Sequence, residues 1–127
     1  MNERQTISEP TGAVRLLHLT DLHLFADDAS ELRGTNTDRS LQRVLRHVAD
    51  SDWHADATLV TGDLIQDDSR EAYERCRQRL GHLPSPIVVI PGNLDVPSLL
   101  DAVLSDAPFQ SGGRRDIGRW RIVNLSS

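Results

Sequence analysis

Three short apolar runs, each followed by a stretch with helical periodicity, constrain the fold of this chain more than any other feature. They span residues 14–20, 57–61 and 87–90, and a fourth apolar run at 120–125 follows a Gly/Arg-rich loop at 111–115. Strands separated by helices pair in parallel, because a parallel pair needs a long connection and a helix supplies it. The sequence therefore predicts an α/β domain with a mainly parallel sheet and flanking helices. The first run is apolar but broken by Arg15 and His18, so we expect it to be buried on both faces of the sheet for most of its length.

Helical periodicity and capping residues place a helix in each connection. Residues 38–49 carry apolar side chains at i, i+3, i+4 and i+7, which is the pattern of a helix with one buried face. Asp68, with Glu71 three residues later, resembles a capping box and predicts a helix through about residue 80. Pro97 is typical of a first helical turn and begins a third amphipathic stretch. With 127 residues, 38% of them hydrophobic, the chain has the size of one domain.

The composition favours a folded cytoplasmic protein. Residues 1–12 are almost entirely polar, and they predict a disordered lead-in to a domain that spans 13–127. They lack the apolar core of a signal peptide, and no apolar run approaches the ~20 residues of a membrane span. The net charge of −5 comes from interspersed acidic and basic residues, which argues against nucleic acid as a partner. The single cysteine, Cys76, fits a reducing compartment.

Polar residues that can bind a metal follow the ends of the first three apolar runs. Asp21 and His23 follow the first run, Asp63 follows the second, and Asn93 and Asp95 follow the third. The carboxyl ends of parallel strands form one edge of a sheet, where α/β proteins bind ligands. We therefore expect these side chains to converge. Asp21 and His23 are two residues apart, so in an extended backbone both side chains would point to the same side and bind one ion.

The donor types favour a transition metal. Carboxylate, imidazole and amide oxygen suit Mn, Fe or Zn better than the all-oxygen shell that Ca²⁺ prefers. The same set fits a two-metal site, in which ions about 3.5–4 Å apart assist an in-line phosphoryl displacement. Gly62 and Gly92 precede Asp63 and Asn93, and a glycine there allows a tight turn or close approach to an anion. Each motif alone is also typical of an ordinary turn, but their repetition at three strand ends favours a metal site.

These motifs resemble the signature of the calcineurin-like metallophosphoesterase superfamily, which is Asp-x-His, then Gly-Asp, then Gly-Asn-His-Asp/Glu. Here they read Asp21-Leu22-His23, Gly62-Asp63 and Gly92-Asn93. Further agreement with the bacterial class III cyclic nucleotide phosphodiesterases, which hydrolyse 3',5'-cyclic AMP, occurs at Leu24-Phe25, Gly34, Asn36-Thr37 and residues 63–67. The resemblance implies the N-terminal part of a metallophosphatase α/β sandwich, in which helices flank two sheets.

By this resemblance, the chain is expected to be a metal-dependent hydrolase of phosphodiesters, and of 3',5'-cyclic nucleotides in particular. Asp21 and His23 would bind a first divalent ion, Asp63 would bridge two ions, and Asn93 would bind the second. Fe or Mn is the expected metal, with Zn as the alternative. Asn93 and Asp95 would also belong to the catalytic loop.

The chain departs from the family pattern in two places. Leu94 stands where the family has a histidine that contacts the phosphate and protonates the leaving oxygen, and losing such a general acid costs on the order of 10²–10⁴ in rate. Asp95, which would orient that histidine, is expected to lack its partner. The family's later ligand motifs would follow Ser127, so we expect a domain that is incomplete at its C-terminus and leaves an apolar sheet face uncovered.

Two functions therefore remain open. The first is a phosphodiesterase of cyclic nucleotides that is weak or inactive in this form. The second is a non-catalytic remnant, or partial metal-binding module, that self-associates or binds a partner through the uncovered sheet face. An oxidoreductase with a nucleotide cofactor is disfavoured, because neither Gly-x-Gly-x-x-Gly nor a P-loop follows any predicted strand.

Overall fold

A computed structural model describes residues 13–125 of the chain, so the predicted disordered segment 1–12 lies outside the described residues. The elements in chain order are β1 (Leu16–Leu19), β2 (Glu31–Leu32), β3 (Thr35–Asn36), α1 (Thr37–Asp50), β4 (Ala57–Thr61), α2 (Arg70–Leu80), β5 (Ile87–Ile90), α3 (Pro97–Val103), β6 (Phe109–Ser111), β7 (Arg114–Ile117) and β8 (Trp120–Val123).

Four of these strands form the main sheet, in the order β1-β4-β5-β6. Each neighbouring pair in this sheet is parallel, and each is joined by a connection that contains a helix. The prediction of an α/β domain with a mainly parallel sheet and flanking helices is therefore confirmed. The strand pairs β2-β3 and β7-β8 form two small antiparallel hairpins outside this sheet.

The core lies around β4 and β5, the two central strands. Strand β5 is a continuous apolar run and β4 is apolar apart from Thr58 and Thr61, as expected for strands that are covered on two faces. Helices α2 and α3 pack against each other and contribute buried side chains to the same cluster. The largest fully buried side chains include those of Tyr73, Leu24, Leu64, Ile65, Leu80, Ile87 and Leu100.

Side chains cap the first two helices. Asn36 accepts a hydrogen bond from Arg39 N at the start of α1, and Ser69 accepts one from Ala72 N at the start of α2. The predicted cap at Asp68 is wrong, because Asp68 has a φ of 54° whereas an N-cap residue needs an extended backbone.

None of the helices in the described part of the chain combines the length and the hydropathy that crossing a membrane requires.

Strand β1 is an edge strand and is not buried on both faces, so that prediction is wrong. Within residues 13–125 it pairs only with β4, and its residues alternate between exposed and half-buried. Leu16 keeps 36% of its surface exposed. An apolar composition indicates that a strand can be covered, but it does not identify the segment that covers it.

The fourth strand of the parallel sheet is β6, and not the predicted strand at 120–125. Phe109 is the only large apolar residue of β6 and is 4% exposed. The run at 120–125 instead contributes β8, which pairs with β7 so that Trp120 lies opposite Ile117. A strand of three residues is too short to show periodicity. The sequence therefore predicts the longer apolar run, and not β6, as the fourth strand of the sheet.

An exposed apolar surface lies beside β1 and β8. Leu16 and Trp120 are 36% and 63% exposed, and they line one groove together with Val14 and Ile122. This surface agrees with the expectation of an uncovered sheet face. We call it the β1/β8 surface below.

Candidate metal centre

The loops that follow β1 and β4 run side by side and continue the parallel pairing of the two strands. Three N–H groups of the first loop donate to carbonyl oxygens of the second: Asp21 N to Gly62 O at 3.1 Å, His23 N to Asp63 O at 3.0 Å and Leu24 N to Leu64 O at 2.9 Å. Leu24 and Ile65 also form a parallel bridge. Residues 21–24 are therefore held directly beside 62–65.

Three of the predicted ligands meet at this junction. One ligand atom from each of Asp21, His23 and Asp63 lies within 4.8 Å of the other two, and His23 Nε2 lies 3.7 Å from Asp21 Oδ1. The Asp21 side chain is 58% exposed, so the cluster is open to solvent on that side. Two carboxylates this close repel each other unless a cation lies between them. The donor set suits a divalent transition metal, so the residues fit such an ion.

The backbone that presents these ligands is left-handed and not extended. The φ angles of Asp21, His23 and Asp63 are 59°, 50° and 52°, in a region that residues other than glycine rarely occupy. The prediction that an extended backbone points Asp21 and His23 to the same side is therefore wrong, although the two side chains do meet. Backbone in this region costs about 1–3 kcal/mol per residue and concentrates at functional sites, which supports a role in binding.

The loop after β5 packs tightly against Asp63. A side chain at Gly92 would place its Cβ 2.5 Å from both Asp63 N and Asp63 Oδ1. Gly62 has a φ of 87° and lies against the same backbone, since its own Cβ would be 3.1 Å from Gly92 Cα. Leu94 N donates a hydrogen bond of 3.0 Å to Asp63 Oδ1. Both glycines are therefore needed for the third loop to reach the candidate centre.

Asn93 and Asp95 occupy different environments in this loop. Asn93 is exposed and lies between Gly92 and Leu94, the two residues that contact Asp63. Asp95 is half-buried, and its carboxylate accepts hydrogen bonds from Gly92 N at 2.7 Å, Leu64 N at 3.0 Å and the Tyr73 hydroxyl at 2.8 Å. Asp95 has no histidine beside it because residue 94 is leucine, and these three donors bind its carboxylate instead. Its carboxylate connects the loops after β4 and β5 to helix α2.

Tyr73 completes this connection, although no motif in the sequence points to it. Its hydroxyl donates to Asp95 and accepts a hydrogen bond of 2.9 Å from Val96 N. Burial is the main cause that raises the pKa of Tyr73 far above its ordinary value of 10.0, and the neighbouring Asp95 carboxylate adds to the increase. The phenol therefore stays protonated and remains a donor. Tyr73 lies one residue after Ala72 and three before Cys76, which are both buried in α2, so helical periodicity could have identified it.

Leu94 supplies only its backbone to the centre. Its side chain is 42% exposed and has no group that can donate a proton. Its N–H donates to Asp63, so the loop keeps its position without a histidine. The backbone of Leu94 thus helps to position this loop, but its side chain cannot act as a general acid.

Two further polar residues contact the ligands, and neither was assigned a role from the sequence. The Thr20 hydroxyl lies 2.7 Å from Asp21 Oδ2 and 2.6 Å from Thr61 O. Gln66 Oε1 lies 2.9 Å from His23 Nδ1. Both residues follow the strand ends within a few positions of the ligands, which is the signal that could have found them. They orient side chains that the metal-ligand pattern identified.

The fold and this centre define an α/β protein with a candidate divalent-metal site at the carboxyl edge of its parallel sheet. The chain belongs to the calcineurin-like phosphoesterase family, whose family model matches residues 14–125. The resemblance that the strand-end motifs indicate is therefore confirmed.

Curated relatives carry a more specific name. The chain is 37% identical over 115 residues to the 3',5'-cyclic adenosine monophosphate phosphodiesterase CpdA of Escherichia coli (strain K12). The aligned region covers 90% of this chain and 42% of that protein. It is 35% identical to the Haemophilus influenzae CpdA, with the same coverage of 90% and 42%. It is 32% identical to the Pseudomonas aeruginosa CpdA, over 100% of this chain and 46% of that protein. The chain thus spans less than half the length of these relatives.

Proposed function

We propose that the chain provides the first part of the metal site of a phosphodiesterase that hydrolyses 3',5'-cyclic nucleotides, with 3',5'-cyclic AMP as its substrate. In this proposal Asp21 and His23 bind one divalent ion, Asp63 bridges to a second, and Asn93 binds the second. The observation that carries the proposal is the convergence of three ligand atoms within 4.8 Å on backbone held in left-handed conformations. The names of the curated relatives support the substrate class.

The chemistry divides between the metal ions and the chain. Bound divalent ions would supply positive charge that activates water and stabilises the attacking and leaving oxygens. Asp63 is positioned for this centre by the backbone contacts of Gly92 and Leu94. Asn93, which lies between Gly92 and Leu94 in the chain, is exposed. Mn or Fe is the proposed metal, with Zn as the alternative.

Leu94 shapes the expected activity. A leaving alkoxide such as that of a cyclic nucleotide needs a proton, and the leucine side chain cannot supply it. The missing acid is expected to cost on the order of 10²–10⁴ in rate. Hydrolysis of cyclic nucleotides is therefore expected to be weak.

The test measures metal binding and hydrolysis separately. Mn²⁺ is titrated into the protein by isothermal titration calorimetry, and hydrolysis is then followed with cyclic AMP and with bis(4-nitrophenyl) phosphate. We expect wild-type protein to bind Mn²⁺ and Asp63→Asn to lose this binding. Asp52→Asn, a matched change at an exposed residue, should bind as wild type does. The aryl ester should react faster than cyclic AMP, because its leaving group needs no acid. Equal Mn²⁺ binding by Asp63→Asn and wild type would refute the proposed site.

A second candidate function is a non-catalytic metal-binding module that associates with a second copy of itself. The exposed Leu94 and the β1/β8 surface favour it, since Trp120 is 63% exposed and contiguous apolar surface of this kind marks interaction sites. Sedimentation equilibrium of wild type and Trp120→Asp distinguishes the two functions. A concentration-dependent dimer that Trp120→Asp abolishes, together with Mn²⁺ binding but no hydrolysis of either ester, would favour the module.

A cytoplasmic location is also proposed. Cys76 is free and fully buried, and an unpaired thiol of this kind fits a reducing compartment. Fractionation of cells that express the tagged chain tests the location. Recovery outside the cytoplasmic fraction would contradict it.

A further inference from the structure

Gln66 contacts the imidazole of His23 on the side away from Asp21. Gln66 Oε1 lies 2.9 Å from His23 Nδ1, whereas the other ring nitrogen, Nε2, lies 3.7 Å from Asp21 Oδ1. Both residues are half-buried. The two ring nitrogens of His23 therefore have different partners, and only Nε2 faces the carboxylates of the candidate metal centre.

The backbone holds Gln66 in this position. Gln66 N donates a hydrogen bond of 2.8 Å to Leu24 O, and Leu24 N donates one of 2.9 Å to Leu64 O. Leu24 and Ile65, which lie opposite each other in this pairing, are fully buried. The backbone of Gln66 is thus fixed beside residues 23–24 by two adjacent segments of a packed core, which places its side chain within reach of His23.

The chemistry of the contact determines where the imidazole proton lies. An amide oxygen only accepts hydrogen bonds, so the Nδ1 that faces it must carry the proton. A neutral imidazole then has its lone pair on Nε2. A metal ligand must present a lone pair, and the hydrogen bond made by the other ring nitrogen decides which one is available.

We propose that Gln66 is a positioning residue that keeps neutral His23 in the Nδ1–H tautomer and aims Nε2 at the metal. Its effect on metal affinity rests on the function proposed above, whereas its effect on the tautomer does not. Removing partners of this kind costs on the order of 10–100-fold in metal affinity. We expect a loss of that size when the acceptor at residue 66 is removed.

The first measurement is made on metal-free protein. Long-range ¹H–¹⁵N correlation spectra in mildly alkaline buffer, where free imidazole is neutral, distinguish the two tautomers of each histidine. The His23 signals are assigned by their disappearance in His23→Gln. Wild type should show the Nδ1–H form, and Gln66→Leu, which has no acceptor, should show a mixture with the Nε2–H form. Gln66→Glu keeps an acceptor and should keep the Nδ1–H form. Gln78→Leu, the same change at an exposed residue of α2, should match wild type.

The second measurement is calorimetric titration of the same variants with Mn²⁺. Gln66→Leu should bind 10–100-fold more weakly than wild type, and Gln66→Glu should recover most of the affinity. A wild-type spectrum with His23 in the Nε2–H form would overturn the proposal, even if Gln66→Leu did not fold. Equal affinities of Gln66→Leu and wild type would also overturn it. If wild type bound no Mn²⁺, the proposed function would fail, and the tautomer spectra would still decide the role of Gln66.

Discussion

Replacing Tyr73 by phenylalanine tests how the loop after β5 is held. The substitution keeps the buried ring and removes one oxygen. That oxygen donates a hydrogen bond of 2.8 Å to Asp95 Oδ1 and accepts one of 2.9 Å from Val96 N. Two hydrogen bonds are therefore lost, and both involve the segment that follows Asn93. The side chain is fully buried, so water cannot replace the hydroxyl at its own position.

The expected loss of stability follows from these two contacts. A hydrogen bond to a charged group contributes about 1.5–3 kcal/mol, and leaving a buried N–H unsatisfied costs about 1–3 kcal/mol. Two facts reduce the sum. Asp95 keeps its bonds from Gly92 N and Leu64 N, and Val96 is only half-buried, so its N–H can reach water. We expect a loss of about 2–3 kcal/mol in the free energy of unfolding.

Urea denaturation monitored by circular dichroism measures this loss. Ser98→Ala, which removes an exposed hydroxyl from the first turn of α3, is the control and should change stability by less than about 0.5 kcal/mol. A Tyr73→Phe variant as stable as Ser98→Ala would refute the reasoning. It would mean that the contacts of Asp95 with backbone N–H groups are sufficient to hold the loop.

Three further predictions concern the centre and its support. Gly92→Ala should lower the free energy of unfolding by about 1–3 kcal/mol through overpacking against Asp63, and it should weaken Mn²⁺ binding. Denaturation measures the first effect and calorimetry the second. A variant that matches wild type in both would contradict the close approach of Gly92 to Asp63. Stability should fall as pH rises above about 9, because burial raises the pKa values of Cys76 and Tyr73 above their ordinary 9.0 and 10.0, so the unfolded chain releases protons that the folded chain retains. In urea titrations across pH, Cys76→Ala should delay the onset of this loss to about pH 10. Leu94→His introduces a side chain that can donate a proton, so it should raise the rate of cyclic AMP hydrolysis more than that of bis(4-nitrophenyl) phosphate, whose leaving group needs no acid; equal changes in the two rates would contradict this.

The sequence by itself determined the fold class and the chemistry to look for. Strands β4 and β5 lie where the second and third apolar runs predict them, because strands covered on both faces are mostly apolar. The placement of Asp21, His23 and Asp63 at one sheet edge follows from parallel topology alone. Local composition and periodicity carry this information, since each strand, helix and ligand motif lies within a few consecutive residues.

Only the tertiary structure decided how these parts meet. The exposure of β1 and the place of β6 in the sheet depend on which distant segments pair, and short-range periodicity does not record that choice. The left-handed backbone of the ligands occurs where two loops from distant parts of the chain pair, and the spacing of the ligands in the sequence does not record it. Asp95 accepts a hydrogen bond from Tyr73 in place of a contact with a histidine, because helix α2 packs beneath the loop. Contacts between residues far apart in the chain set each of these features.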